Sequence, residues 1–131
     1  MNNEEIMTSV ELEIILKAGK ILLSSGAEIS RTEDTMNYIA RAMNFKDLEA
    51  YVSNRGIFAT AKKADGTEIT RICNVPEVDI NLSKIESVNA LSRRVTQKNI
   101  TIEEIESELN QIDTMSDYSF FWRLVAYTLG A

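Results

Sequence analysis

The sequence predicts an α+β domain: two N-terminal helices, a three-stranded antiparallel meander, and two to three C-terminal helices packed on one face of the sheet. Three observations carry that prediction. Apolar residues recur with the helical period to about residue 44, alternate as in strands between residues 48 and 75, and return to the helical period after residue 81. Two turn signals, Asn54-Arg55-Gly56 and Asp65-Gly66, divide the alternating region into three strands. The whole chain is 131 residues, enough for one core of ordinary size, with no internal repeat and no low-complexity linker.

The first helix is expected to begin at Thr8, which has capping-box spacing to Glu11, and to end at Gly26. Glu13, Lys17, Lys20 and Ser24 form one narrow polar stripe, while residues such as Leu12, Ile15, Leu16, Ile21 and Leu22 cover nearly all the rest. A helix so apolar must be wrapped on most sides, by its own fold or by a partner. Gly19 lies on the apolar part, where a missing side chain lets another element come close. The second helix is expected to start at Ser30 as N-cap, with Glu33 completing a second capping box. Its buried stripe is Thr32, Met36, Ile39, Ala40 and Met43, and Asn44 is its stop.

In the middle region, Leu48, Ala50 and Val52 alternate with Glu49, Tyr51 and Ser53; residues 57–62 make a second strand and 67–75 a third, stopped by Pro76. Arg71 shares a face with Ile69, Cys73 and Val75, so its charge requires a partner. The third helix follows Asn81 as N-cap and runs to about Lys98 on a stripe of Leu82, Ile85, Val88, Leu91 and Val95. Ser92 falls near the middle of that stripe and Asn89 at its edge. The fourth helix opens with a Thr101/Glu104 capping box and an Ile100–Ile105 staple, and it carries Glu103, Glu106 and Glu108 on a face expected to be solvated.

The last segment differs from everything before it. Tyr118, Phe120, Phe121 and Trp122 bunch together ahead of an apolar run to Ala131. Residues 1–116 are therefore expected to form a soluble domain. Residues 117–131 are either the start of a first transmembrane segment, entered through an aromatic interface, or a C-terminal helix closing the core.

Composition narrows the function. Fourteen basic against twenty acidic residues give a net charge of -6, which argues against nucleic acid as a partner. A single cysteine, Cys73, rules out an intrachain disulfide and a Cys-based zinc site. With no histidine, Ser-His-Asp triads, Cys-His pairs and His-ligated metals are also removed, and no cofactor is expected. The acidic N-terminus, Met1 to Glu5, is no secretory signal, which points to the cytoplasmic side.

Several stretches together resemble one family. Ser25-Gly26-Ala27-Glu28 with Arg31 and Glu33-Asp34-Thr35-Met36 is similar to the first motif of the N-terminal soluble domain of the threonine/serine exporters. Gly56-Ile57-Phe58 resembles its strand motif; Thr70-Arg71, Ile80-Asn81-Leu82 and Val88-Asn89-Ala90-Leu91-Ser92-Arg93 resemble its third block. Where the family pattern often has Arg-Gly before Ile-Asn-Leu, this chain has Val78-Asp79. The resemblance, from about Leu12 to Trp122, implies a bacterial inner-membrane exporter of small amino acids or related dicarboxylates. The domain would stand on the cytoplasmic face with a gating, regulatory or subunit-contact role. A carboxylate-based hydrolase domain and a structural oligomerisation domain are the alternative readings, and a homo-oligomer or a second transporter subunit is the expected protein partner.

The residues expected to bind ligand are Glu28, Arg31, Asp34, Arg71, Asn89 and Ser92. An arginine can hold a carboxylate through paired hydrogen bonds. Glu28 sits beside the turn without a capping role, so it is expected to pair with Arg31 or Arg71, as pocket or as brace. Glu33 is explained by capping, and Asp34 by its place near a helix N-terminus. Ser92 as a nucleophile would need a Lys or carboxylate base, since the chain offers no histidine. No metal site is expected, because the Glu28, Glu33, Asp34 spacing matches no calcium loop.

Overall fold

Periodicity is realised element by element in the computed structural model, which describes residues 3–115. The order is α1 (Asn3–Ser24), α2 (Ile29–Ala42), β1 (Phe45–Val52), β2 (Gly56–Lys63), β3 (Glu68–Asn74), α3 (Leu82–Thr96) and α4 (Ile102–Asp113). The segment 117–131, and with it the choice between a membrane span and a closing helix, lies outside the described residues. Among the described residues no helix is long and apolar enough to cross a membrane.

α1 starts well before Thr8. That residue is buried inside the helix, and its hydroxyl donates to the Glu4 carbonyl at 2.8 Å, the back-bond of a mid-helix threonine rather than a cap. Glu11 is drawn away from any capping role to Lys63, 3.0 Å distant. The other end follows expectation. Gly26 takes φ +99°, the Gly26 amide donates to the Leu23 carbonyl and the Ala27 amide to the Leu22 carbonyl. This is a Schellman ending, and the left-handed residue at its centre favours glycine.

The sheet has the order β1-β2-β3 and is antiparallel throughout. A bulge between Phe45 and Asp47 lets β1 begin earlier than its alternation indicates. Its inner face carries Leu48, Ala50, Val52, Ile57, Ala59, Ala61, Ile69, Arg71 and Cys73. α1 and α2 lie directly on that face, and α3 and α4 pack behind them, so all four helices stand on one side. α1 is touched by α2, β2, β3, α3 and α4, which cover its apolar residues from Leu12 to Leu23, while Ile6 and Met7 near its start are 47% and 50% exposed.

Gly19 is the point of closest approach. A Cβ there would stand 2.7 Å from Met36 Sδ and 2.9 Å from Ile57 Cδ1. Both neighbours are fully buried and have nowhere to move. Gly19→Val is expected to lower stability by about 3 kcal/mol, the upper range for overpacking a dense core. Urea unfolding followed by circular dichroism checks this; an unchanged midpoint would mean that α1, α2 and β2 do not meet here.

The later caps form as expected. The Asn81 side chain accepts from the Lys84 amide at 3.0 Å, and Thr101 Oγ1 accepts from the Glu104 amide at 3.2 Å. One surface expectation is corrected. Glu108 is not simply solvated: Arg94 Nη1 donates to both its carboxylate oxygens, at 2.6 and 2.9 Å, tying α4 to α3. Residue spacing within α4 could not show this, because the cation comes from the neighbouring helix.

Candidate functional site

The α1–α2 turn delivers its charges to the mouth of a cleft. After the Schellman ending only Ala27 and Glu28 separate the helices, and α2 begins at Ile29 with Glu28, not Ser30, at the N-cap position. The first turn closes on the Glu28 carbonyl, which accepts from the Thr32 amide at 3.0 Å and the Thr32 hydroxyl at 2.9 Å. Glu28 makes no side-chain cap, so its carboxylate is left free of the backbone. Ser30 lies exposed within the helix, and Glu33 has no capping role there.

Between α2 and α3 lies a cleft of about 350 Å³, lined by Leu22, Ala27, Glu28, Arg31, Thr32, Thr35, Ile85 and Asn89. That volume is at the low end for small-molecule sites, which start at roughly 300 Å³. Its apolar wall comes from α1, the turn and α3; its polar groups come from α2 and Asn89. Thr35 Oγ1 donates to the Arg31 carbonyl at 3.1 Å and lies 3.5 Å from Asn89 Oδ1. The Thr32 hydroxyl donates to the Glu28 carbonyl, while the Thr35 hydroxyl proton is shared between the Arg31 carbonyl and the Asn89 side-chain oxygen. Arg31 Nε and Glu28 Oε2 stand 4.0 Å apart, 83% and 76% exposed. A pair that open is worth about 0–1 kcal/mol, so separating it to admit a ligand costs little.

Three of the six residues singled out from the sequence therefore meet here: Glu28, Arg31 and Asn89. The other three do not line the cleft. Asp34 is exposed elsewhere on α2. Ser92 is buried on α3, its hydroxyl donating to the Asn89 carbonyl at 2.8 Å. Arg71 finds its partners on α1, with Nε 3.5 Å from Glu13 and Nη2 donating to Ser9 Oγ at 3.1 Å. The brace between sheet and helix is thus Arg71–Glu13, while Glu28 pairs within its own turn. Thr32 and Thr35 line the cleft without having been singled out as ligand groups. Their signal was two hydroxyls one turn apart on the face of α2 that packs inward.

A second cleft, about 330 Å³, separates α1 from α4. The polar stripe of α1 faces it: Glu13, Lys17 and Lys20 stand opposite Glu106, Asn110 and Asp113, and Lys17 Nζ donates to Asn110 Oδ1. Cys73 closes one end, its thiol pushed above the ordinary pKa by burial. Among the described residues no group of three or more Cys, Asp or Glu is placed to hold a metal ion.

The family model of ThrE, described as a putative threonine/serine exporter, aligns with residues 13–131, which include every residue lining both clefts. No curated protein and no solved structure matches the chain.

Proposed function

The chain belongs to the threonine/serine exporter family, and from that membership we propose that its described domain gates or regulates an exporter by sensing a small amino acid or related carboxylate in the α2–α3 cleft. One observation carries the proposal: a single cleft gathers a guanidinium, a carboxylate, a hydroxyl–amide pair and an apolar wall. Arg31 receives the α-carboxylate of the ligand and Glu28 its ammonium group. The Thr35–Asn89 pair addresses a β-hydroxyl, and Leu22, Ala27 and Ile85 take the methyl that distinguishes threonine from serine.

The position of the cleft supports a gating role. It is built on α2 and the N-terminal half of α3, and the Asn81 cap of α3 connects to two other strands of chain. The Asn81 amide donates to the Ser25 carbonyl at 3.0 Å, and Asn81 Nδ2 donates to the Met115 carbonyl at 3.3 Å. A ligand that draws α2 towards α3 therefore acts on the point from which residues 116–131 continue. We place the domain on the cytoplasmic face of the bacterial inner membrane, a reading that rests on its membership of an exporter family.

Thermal-shift measurements with threonine, serine, valine and succinate test the sensing role. Threonine is expected to raise the melting temperature, and valine, of nearly the same shape but lacking the hydroxyl, to do so far less. Equal shifts for threonine and valine would remove the Thr35–Asn89 pair from recognition. No shift with any of the four would overturn the proposal.

A further inference from the structure

We propose that the outer face of the sheet is a self-association surface, on which a second copy of this chain docks through the cross-strand row Tyr51–Phe58–Ile72. Antiparallel register lines these three residues up across β1, β2 and β3. They are 70%, 41% and 71% exposed, and the Tyr51 and Phe58 rings stand 6.2 Å apart. Every described helix lies on the other side of the sheet, so no described element covers this row. Three large apolar side chains in one line on a bare sheet form a patch of the kind that marks an interaction site.

The charges around the row favour a copy of the same surface. Moving away from it towards the β2–β3 turn, the next row is Glu49–Thr60–Thr70 and the one after is Asp47–Lys62–Glu68. Three carboxylates, Glu49, Asp47 and Glu68, against the one ammonium of Lys62 make these two rows net negative. At the other end is the β1–β2 turn with exposed Arg55, which takes part in none of the ion pairs among the described residues. A two-fold axis running along the Tyr51–Phe58–Ile72 row sets each apolar side chain against its own mate. It also reverses the strand direction, so the acidic end of one copy lies over the Arg55 end of the other. The net-negative rows of each copy thus face a cation of the other, as a self-complementary contact requires.

Size fixes the strength of the contact. Three strands spaced about 4.8 Å apart and about 27 Å long present roughly 400 Å². That is about half the roughly 800 Å² per partner of a stable complex, so the association belongs to the weak, reversible class. Between copies held on one membrane the local concentration rises towards the millimolar range, where a weak contact is populated.

Cross-linking of the 131-residue chain in a Cys73→Ala background reads the geometry directly. Phe58→Cys lies on the axis, and a short bis-maleimide is expected to join the two copies. Lys62→Cys, on the same strand two rows away, stands roughly 27 Å from its mate and is expected not to react across the interface. Sedimentation is expected to show a concentration-dependent monomer–dimer equilibrium, weakened at least about tenfold by Ile72→Glu. Arg55→Glu is expected to weaken it less, with Glu49→Arg in the same chain restoring it. A monomer at about millimolar concentration, association untouched by Ile72→Glu, or equal cross-linking at positions 58 and 62 would overturn the proposal. Far-ultraviolet circular dichroism of each variant confirms that the fold is retained.

Discussion

Arg31→Ala is expected to weaken threonine binding about 30-fold while leaving the stability of the domain almost unchanged. Among the described residues Arg31 is the one cation that lines the α2–α3 cleft, and its side chain is 83% exposed. The hydrogen bonds of a charged donor to a carboxylate contribute about 2 kcal/mol, which converts to roughly that factor in Kd. The ion pair lost with it among the described residues is the 4.0 Å contact to Glu28, an exposed pair of about 0–1 kcal/mol. Binding and stability should therefore separate: a calorimetric titration shows the loss, and urea unfolding shows a midpoint close to that of the parent. Glu28→Gln is expected to weaken threonine but to leave succinate, which has no ammonium group, nearly unaffected.

Lys63 gives the opposite case, a large effect on stability with no part in the cleft. Its ammonium lies 3.0 Å from Glu11, donates to the Met43 carbonyl at 2.6 Å and stands 4.3 Å from the centre of the Phe45 ring. One cation thus joins α1, the end of α2 and the edge of β1 to β2. The Lys63 and Glu11 side chains are 18% and 11% exposed, so little water replaces the pair if it is broken. Lys63→Met leaves Glu11 charged and nearly buried, and is expected to cost about 3 kcal/mol. The double substitution Glu11→Leu with Lys63→Met removes both charges and is expected to recover a large part of that loss. If the double variant is as unstable as the sum of the two singles, the pair is not a coupled unit.

These two residues also show what could be read from the chain and what could not. Helix and strand positions followed from periodicity because each element buries one face, and the caps at Asn81 and Thr101 formed because nothing nearby competed for them. The same capping spacing failed at Thr8/Glu11 and at Ser30/Glu33. Glu11 was claimed by Lys63, more than fifty residues away in sequence, and α2 started directly from the Schellman turn, which left Ser30 inside the helix. Local pattern cannot weigh a partner that only the fold brings near.

The site was legible to a similar degree. A charged turn and an asparagine at the edge of the α3 stripe pointed to Glu28, Arg31 and Asn89, which do share a cleft. Arg71 was recognised as needing a partner, but which helix crosses the inner face of β3 is a tertiary fact, and that helix is α1. Thr35 was hidden for a different reason: on a buried helical face a threonine reads as core until the opposing residue, Asn89, is known.

Under the proposed function the α2–α3 cleft, and not the α1–α4 cleft, receives a small hydroxy amino acid. A threonine titration followed by amide and side-chain nuclear magnetic resonance shifts tests this most directly. Saturable shifts are expected at Glu28, Arg31, Thr32, Thr35, Ile85 and the Asn89 side-chain amide. Shifts confined to Lys17, Lys20, Asn110 and Asp113, or no shifts at all, would contradict it.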